Sequence, residues 1–70
     1  MNKELDLHRV KHSEVDRLVE NFILLNSVPL NIITGNSEFM RNKVMEKCKQ
    51  FGYHCQQWDS GLIKVLSYED

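Results

Sequence analysis

The sequence has little of what marks membrane-spanning, secreted or metal-binding chains. It contains one proline, three glycines and two cysteines, and Cys48 and Cys55 do not form a CxxC pair. No apolar run approaches the roughly 18 residues that a membrane-spanning helix needs. The N-terminal residues 1–12 are charged and lack the apolar core of a signal peptide. We therefore expect free thiols, a cytoplasmic location and no membrane partner.

A marked excess of charge of one sign is also absent. Nine Lys and Arg residues oppose ten Asp and Glu residues, which leaves a net charge of -1. This balance argues against a strongly basic nucleic-acid binder, although a local basic patch is compatible with it. The 70 residues are 41% hydrophobic and 27% charged, which is typical of a globular chain. We expect one domain over residues 1–70 with one small core.

Strand-like and helix-like periodicities alternate along the chain. Residues 4–8 alternate polar and apolar, residues 15–23 repeat apolar side chains at helical spacing, and residues 29–34 are typical of a second strand. Ser13 is the predicted N-cap of the first helix, with Asp16 close to the capping-box position.

The second half of the chain continues this alternation. Ser37 is the predicted N-cap of a second helix, and Gly52 fits the position just past its end. Residues 53–58 and 62–68 are predicted to form a hairpin around a tight turn at residues 59–61.

This order of elements predicts an α/β fold. We expect a two-layer β-α-β-α-β-β sandwich, with a four-stranded mixed sheet and both helices on one face, because right-handed crossovers place them there. The fourth strand should run antiparallel to the others. The C-terminal ends of the first two parallel strands then share one edge of the sheet, where open α/β sheets bind their ligands.

Two groups of candidate site residues follow these strands. Asp6 and His8 lie on one face of the first strand, where the carboxylate could orient the imidazole for general acid or base work on a phosphodiester. The alternative is a polar pair that merely faces solvent. After the second strand, Thr34, Gly35, Asn36 and Ser37 could form an anion-binding nest, or an ordinary turn that caps a helix and binds nothing.

Basic residues cluster near the same edge, where they could hold successive phosphates. The alternative is a solvated surface, since acidic residues dilute the patch. No metal-ligand spacing occurs, so we expect no cofactor, and catalysis would be metal-independent or use weakly held Mg²⁺. The predicted basic cluster consists of Arg9, Lys11, His12, Arg41 and Lys43.

The sheet face away from the helices is predicted to carry exposed apolar side chains. Ile63 and Val65 should point into the core instead. Such a face could stack bases, bury a protein partner, or represent ordinary surface apolarity. The residues predicted on this face are Trp58, Leu62, Leu66 and Tyr68, with Lys64 among them.

These motifs together resemble the Smr (small MutS-related) domain family. That family carries an LDLHG motif on its first strand, an acidic residue shortly after it, and a TGxG motif after its second strand. The resemblance covers nearly the whole chain and implies the same element order, nucleic-acid binding and, in several members, DNA nicking or RNA cleavage. The matching positions are Leu5-Asp6-Leu7-His8, Glu14 and Thr34-Gly35.

The chain also departs from the family pattern. Arg9 replaces the glycine after LDLH, Val15 replaces the usual alanine, and the second glycine of TGxG is missing. The loop between TGxG and the helix is also shorter. The chain therefore resembles a compact, divergent variant in which binding is better supported than nuclease activity.

The resulting expectation is a nucleic-acid-binding Smr-like domain with DNA or RNA as its partner. Endonuclease activity would use His8 as general acid or base and Asp6 to orient it. The alternative is a non-enzymatic module that docks a protein partner through the outer sheet face or an edge strand.

Overall fold

Four strands and two helices make up the computed structural model, which describes residues 3–68. No helix in this part of the chain is long and apolar enough to cross a membrane. The elements in chain order are β1 (Lys3–Asp6), α1 (His12–Leu25), β2 (Leu30–Ile33), α2 (Glu38–Gln50), β3 (Tyr53–Asp59) and β4 (Leu62–Tyr68).

The strands form one mixed sheet in the order β1-β2-β4-β3. β1 and β2 are parallel, and β4 runs antiparallel to both of its neighbours, β2 and β3. Helices α1 and α2 pack against each other over one face of the sheet, so the predicted two-layer sandwich is confirmed. This topology brings the β3–β4 turn to the same sheet edge as the ends of β1 and β2.

The core lies between the helices and the inward face of the sheet. Both helices bury residues at helical spacing, and the two central strands bury alternate residues, as the periodicities predict. Ile63 and Val65 are buried, as expected. The buried apolar residues are Leu7, Val15, Val19, Ile23, Leu30, Ile32, Met40, Val44, Cys48, Ile63 and Val65.

The two helices begin differently. Ser37 caps α2 as predicted, because its hydroxyl accepts a hydrogen bond from the backbone N–H of Met40 at 3.2 Å. Gly52 follows the end of α2 with a φ of +77°, which also agrees with the prediction. The predicted Ser13 cap of α1 is wrong: the N-cap is Lys11, two residues earlier, the helix begins at His12, and no side chain caps it. A tight turn, in which the Val10 N–H donates to the Leu7 carbonyl, brings the chain into the helix early.

The prediction of free thiols is also wrong. Cys48 and Cys55 form a disulfide bond between α2 and β3. Cys48 lies on the buried stripe of α2, and Cys55 lies opposite Val65 in the sheet and packs against the core. Their Cα atoms are 6.4 Å apart, which lies within the range that a disulfide can bridge.

Candidate functional site

Three loops meet at the sheet edge where β1 and β2 end. The backbone N–H groups of Thr34 and Gly35 both donate to the Gly61 carbonyl, at 2.8 and 3.3 Å. A Cβ atom on Gly61 would lie 3.2 Å from the backbone of Gly35, so this close approach favours glycine. The sequence indicated the β3–β4 turn but not its place in the site, because strand order does not follow from local pattern.

Gly35 lies beside His8 at the centre of this edge. Its φ is +66°, a conformation that glycine adopts readily and other residues rarely do. A Cβ atom at Gly35 would lie 3.8 Å from the Cβ of His8. The ends of the two parallel strands therefore place the two predicted motifs next to each other.

Asp6 and His8 form an exposed pair, although β1 ends at Asp6 and His8 lies beyond the strand. The imidazole Nδ1 is 3.3 Å from a carboxylate oxygen of Asp6, and the two side chains are 56% and 55% exposed. The same oxygen accepts the backbone N–H of His8 at 3.0 Å. This backbone hydrogen bond is the main reason that the pKa of Asp6 is lower than its ordinary value of 3.8, and the nearby imidazole adds to the effect. With Nδ1 beside the carboxylate, Nε2 is the nitrogen free to exchange a proton with a ligand.

The predicted basic residues have different surroundings. Arg9 and Lys11 are exposed, and neither forms a salt bridge within residues 3–68. Arg41 is partly buried, and its Nη1 donates to the carbonyl of Ser60 at 2.9 Å and lies 3.5 Å from that of Gly35. Arg41 therefore ties α2 to two of the three loops.

The other two predicted basic residues contact the neighbouring helix. The His12 ring stacks on Phe39, with centroids 4.0 Å apart and an interplanar angle of 15°. Lys43 lies 3.5 Å from a carboxylate oxygen of Asp16 and so is engaged between α1 and α2. Of the five predicted basic side chains, Arg9 and Lys11 are the most available to a ligand at this edge.

The residues of the second motif also differ in accessibility. Thr34 is only 1% exposed, and its hydroxyl donates to the Gly35 carbonyl at 3.1 Å, so it shapes the turn from inside. The Ser37 hydroxyl is occupied by its capping bond, whereas Asn36 is exposed. Of the first backbone N–H groups of α2, that of Met40 is taken by the Ser37 hydroxyl, and the two before it are of the kind that helices leave unpaired and that favour an anion.

A separate groove lies between α2 and the edge strand β3. Its volume is about 420 Å³, and it lies toward the end of α2 that is distant from the three loops. The sequence analysis missed it because it depends on how Cys55 is placed. Its lining residues are Met45, Glu46, Cys48, Lys49, Tyr53, His54 and Cys55.

Neither metal-ligand clusters nor relatives identify the site. Among residues 3–68, no group of three or more His, Cys, Asp or Glu side chains is placed to hold a metal ion. Comparison of the chain with protein-family models, curated proteins and solved structures gives no significant match.

Proposed function

We propose that this chain is a nucleic-acid-binding domain of the Smr type that holds phosphates at the edge where its three loops meet. The observation that carries the proposal is that two motifs lie close together: the exposed Asp6–His8 pair lies next to the positive-φ turn at Gly35. The anion-favouring turn suits phosphate binding, and the Asp6–His8 pair beside it suits proton transfer at a bound phosphodiester.

Each predicted residue takes a role that its surroundings support. Free amides of the α2 N-terminus, reached through the Gly35–Ser37 turn with exposed Asn36, would receive a phosphate oxygen. Arg9 and Lys11 would supply charge from the loop after β1. The buried hydroxyl of Thr34, the guanidinium of Arg41 and the stacked ring of His12 would hold these loops in position.

The proposal includes endonuclease activity as a step that follows binding. His8 Nε2 would take the proton from the attacking hydroxyl or give one to the leaving oxygen, and Asp6 would orient the ring through Nδ1. The step needs no tightly bound cofactor, and a Mg²⁺ ion that arrives on the phosphates is compatible with it.

The proposal is tested by NMR titration with short RNA and DNA oligonucleotides. The amides of residues 35–38 and 9–11 should shift together and saturate at one affinity, because both loops contact the same phosphates. Shifts scattered over surface lysines, or confined to the groove beside Tyr53, would contradict the proposal.

A second candidate function is protein binding without catalysis. The groove between α2 and β3 favours it, together with the edge position of β3, whose outer backbone groups have no partner strand within residues 3–68. Binding that is insensitive to salt and shifts the amides of β3 would support this function instead.

The proposed location is the cytoplasm. Disulfides are rare there, so the Cys48–Cys55 bond argues against this part of the proposal. Alkylation of free thiols in intact cells, followed by mass spectrometry, measures the state of both cysteines. If both cysteines are alkylated, they are free thiols in the cell, which agrees with a cytoplasmic location. An intact disulfide would contradict that location.

A further inference from the structure

The open face of the sheet carries an apolar row that leads away from the proposed phosphate site. Ile33 pairs with Asp6 of β1 on one side and with Leu62 of β4 on the other. Leu62 in turn lies opposite Asp59 of β3, which follows Trp58 in the chain. The row therefore crosses all four strands on the open face, from Asp6, whose carboxylate lies beside His8, to the neighbourhood of Trp58, the only tryptophan in the sequence.

Exposed Trp58 and partly buried Lys64 form a cation–aromatic pair at the far end of this row. The Lys64 Nζ lies 4.4 Å from the centroid of the Trp58 ring, and Trp58 is 59% exposed. The cross-strand neighbours of Lys64 are Asn31 and Gln56, and it forms no salt bridge among the described residues. An exposed aromatic surface beside an uncompensated cation is the combination that holds stacked bases and their backbone.

We propose that the open sheet face binds a single-stranded segment of nucleic acid, with one base stacked on Trp58 and a phosphate near Lys64. The inference rests on the proposed function and extends the binding surface from the loop edge across the sheet. β1 and β3 are three strand spacings apart, or about 14 Å. A mononucleotide is too short to occupy both ends, whereas an oligonucleotide can reach from His8 to Trp58.

The charges along the row favour a strand that turns its bases toward the sheet. Asp6 and Asp59 flank the row, and each carboxylate already accepts a nearby backbone N–H. Between these ends the row is formed by the uncharged side chains of Ile33 and Leu62, which suit neutral bases better than phosphates. A duplex keeps its bases paired inside and cannot lay them on this surface, so the surface should select single strands.

The single tryptophan makes the proposal directly measurable by fluorescence. Titration of the whole chain with oligonucleotides from dinucleotide to octanucleotide should quench Trp58 once the strand reaches across the sheet. A duplex of the same sequence should quench much less. Inorganic phosphate should shift the amide signals of residues 35–38 without quenching Trp58 fluorescence. This control distinguishes binding at the loop edge from binding on the open face.

Substitutions then test the stacking contact, with a fluorescently labelled oligonucleotide as the probe. Trp58→Ala should weaken binding about tenfold to a hundredfold, and Trp58→Phe should retain most of it. Leu25→Ala is the matched control, because Leu25 is also an exposed apolar residue, at 80%, but lies at the far end of α1. Amide spectra of each variant check that the fold is intact.

Three results would overturn the inference in distinguishable ways. In the first, the oligonucleotide shifts the amides of residues 35–38 without quenching Trp58 fluorescence, and Trp58→Ala binds with unchanged affinity. This result would support the proposed function but show that the open face takes no part in it. In the second, neither the amide signals nor Trp58 fluorescence changes, which would contradict both the proposed function and the inference. Quenching that depends on protein concentration rather than on oligonucleotide would identify the open face as a contact between copies of the chain.

Discussion

At the scale of single residues, the geometry of His8 depends on its neighbours more than on burial. Its side chain is more than half exposed, and the carboxylate of Asp6 is the contact that orients it. Such a histidine adds little to the folded state. Substitutions at His8 should therefore separate chemistry from stability.

If the chain cleaves nucleic acid, His8→Ala should lower turnover about 10²–10⁴-fold while affinity changes little, because a general acid or base contributes on this scale. Single-turnover cleavage and equilibrium binding of the same labelled RNA measure the two effects. Lys11→Gln is the matched control and should weaken binding more than turnover. Equal losses of binding and cleavage in His8→Ala would instead make His8 a phosphate contact.

The acid dependence of stability should reveal the hydrogen-bonded Asp6. Its pKa is lowered in the folded chain, so its stabilisation is present above the ordinary value of 3.8 and is lost as pH falls through the lower value. Asp6→Asn should therefore unfold more easily than the parent near neutral pH, by an amount that shrinks on acidification. Urea unfolding from about pH 6 to about pH 2 measures this difference, and a constant difference would contradict the prediction.

At the scale of elements, the two helix starts provide a matched pair of substitutions. Ser37→Ala removes the capping bond of α2 and should lower the free energy of unfolding by about 1 kcal/mol. Ser13→Ala should change it little, because Ser13 is exposed and does not cap α1. Urea unfolding of both variants measures the contrast. Equal effects would mean that the α1 start differs from the structure.

The disulfide joins α2 to β3 across a short loop. Its reduction should lower the free energy of unfolding by about 2–3 kcal/mol, because the open chain gains conformational freedom when unfolded. Urea unfolding with and without a phosphine reductant measures this change. The double variant Cys48→Ala and Cys55→Ser should not respond to the reductant. If the parent chain has the same urea midpoint with and without the reductant, the disulfide does not form in solution.

Local pattern, together with the right-handedness of β-α-β crossovers, predicts the elements and the two-layer fold of this chain but not the order of its strands. The Ser37 cap, the Gly52 position and the buried Ile63 and Val65 all follow from spacing between near neighbours. The early start of α1 was missed because it depends on a turn bond from Val10 rather than on a capping side chain.

The parts of the site that were missed are contacts between distant segments. Gly61 joins the edge because β4 lies between β2 and β3, which no local period encodes. The disulfide and the groove beside it depend on where Cys55 lies in β3, where the register shifts. Arg41 was predicted to bind phosphate, but its hydrogen bond to the Ser60 carbonyl depends on a contact between distant loops, which local sequence does not encode.

At the scale of the whole molecule, a net charge of -1 makes any phosphate binding a local effect. If Arg9, Lys11 and Lys64 each contact one phosphate, the logarithm of affinity should fall with the logarithm of salt with a slope of about -2. Lys11→Gln should reduce the magnitude of that slope by about 0.7, as expected for one single-strand contact.

Lys49→Gln is the control for this salt series. Lys49 is exposed but lines the groove at the other end of α2, so its loss changes net charge equally without touching the proposed path. Both variants are compared by titration of a labelled single strand at several salt concentrations. Equal changes in the two slopes would mean that overall charge, and not the proposed surface, controls binding.

The central position of β4 has a consequence for biosynthesis. Of the described strands, β4 is the last to be translated, yet it pairs with β2 and β3 in the middle of the sheet. The carbonyl of Gly61 that joins the loops also comes late in the chain. A nascent chain halted before residue 61 therefore lacks the strand that joins β2 to β3 and the carbonyl that joins the loops. The complete sheet of this domain can form only after the β3–β4 hairpin has emerged from the ribosome.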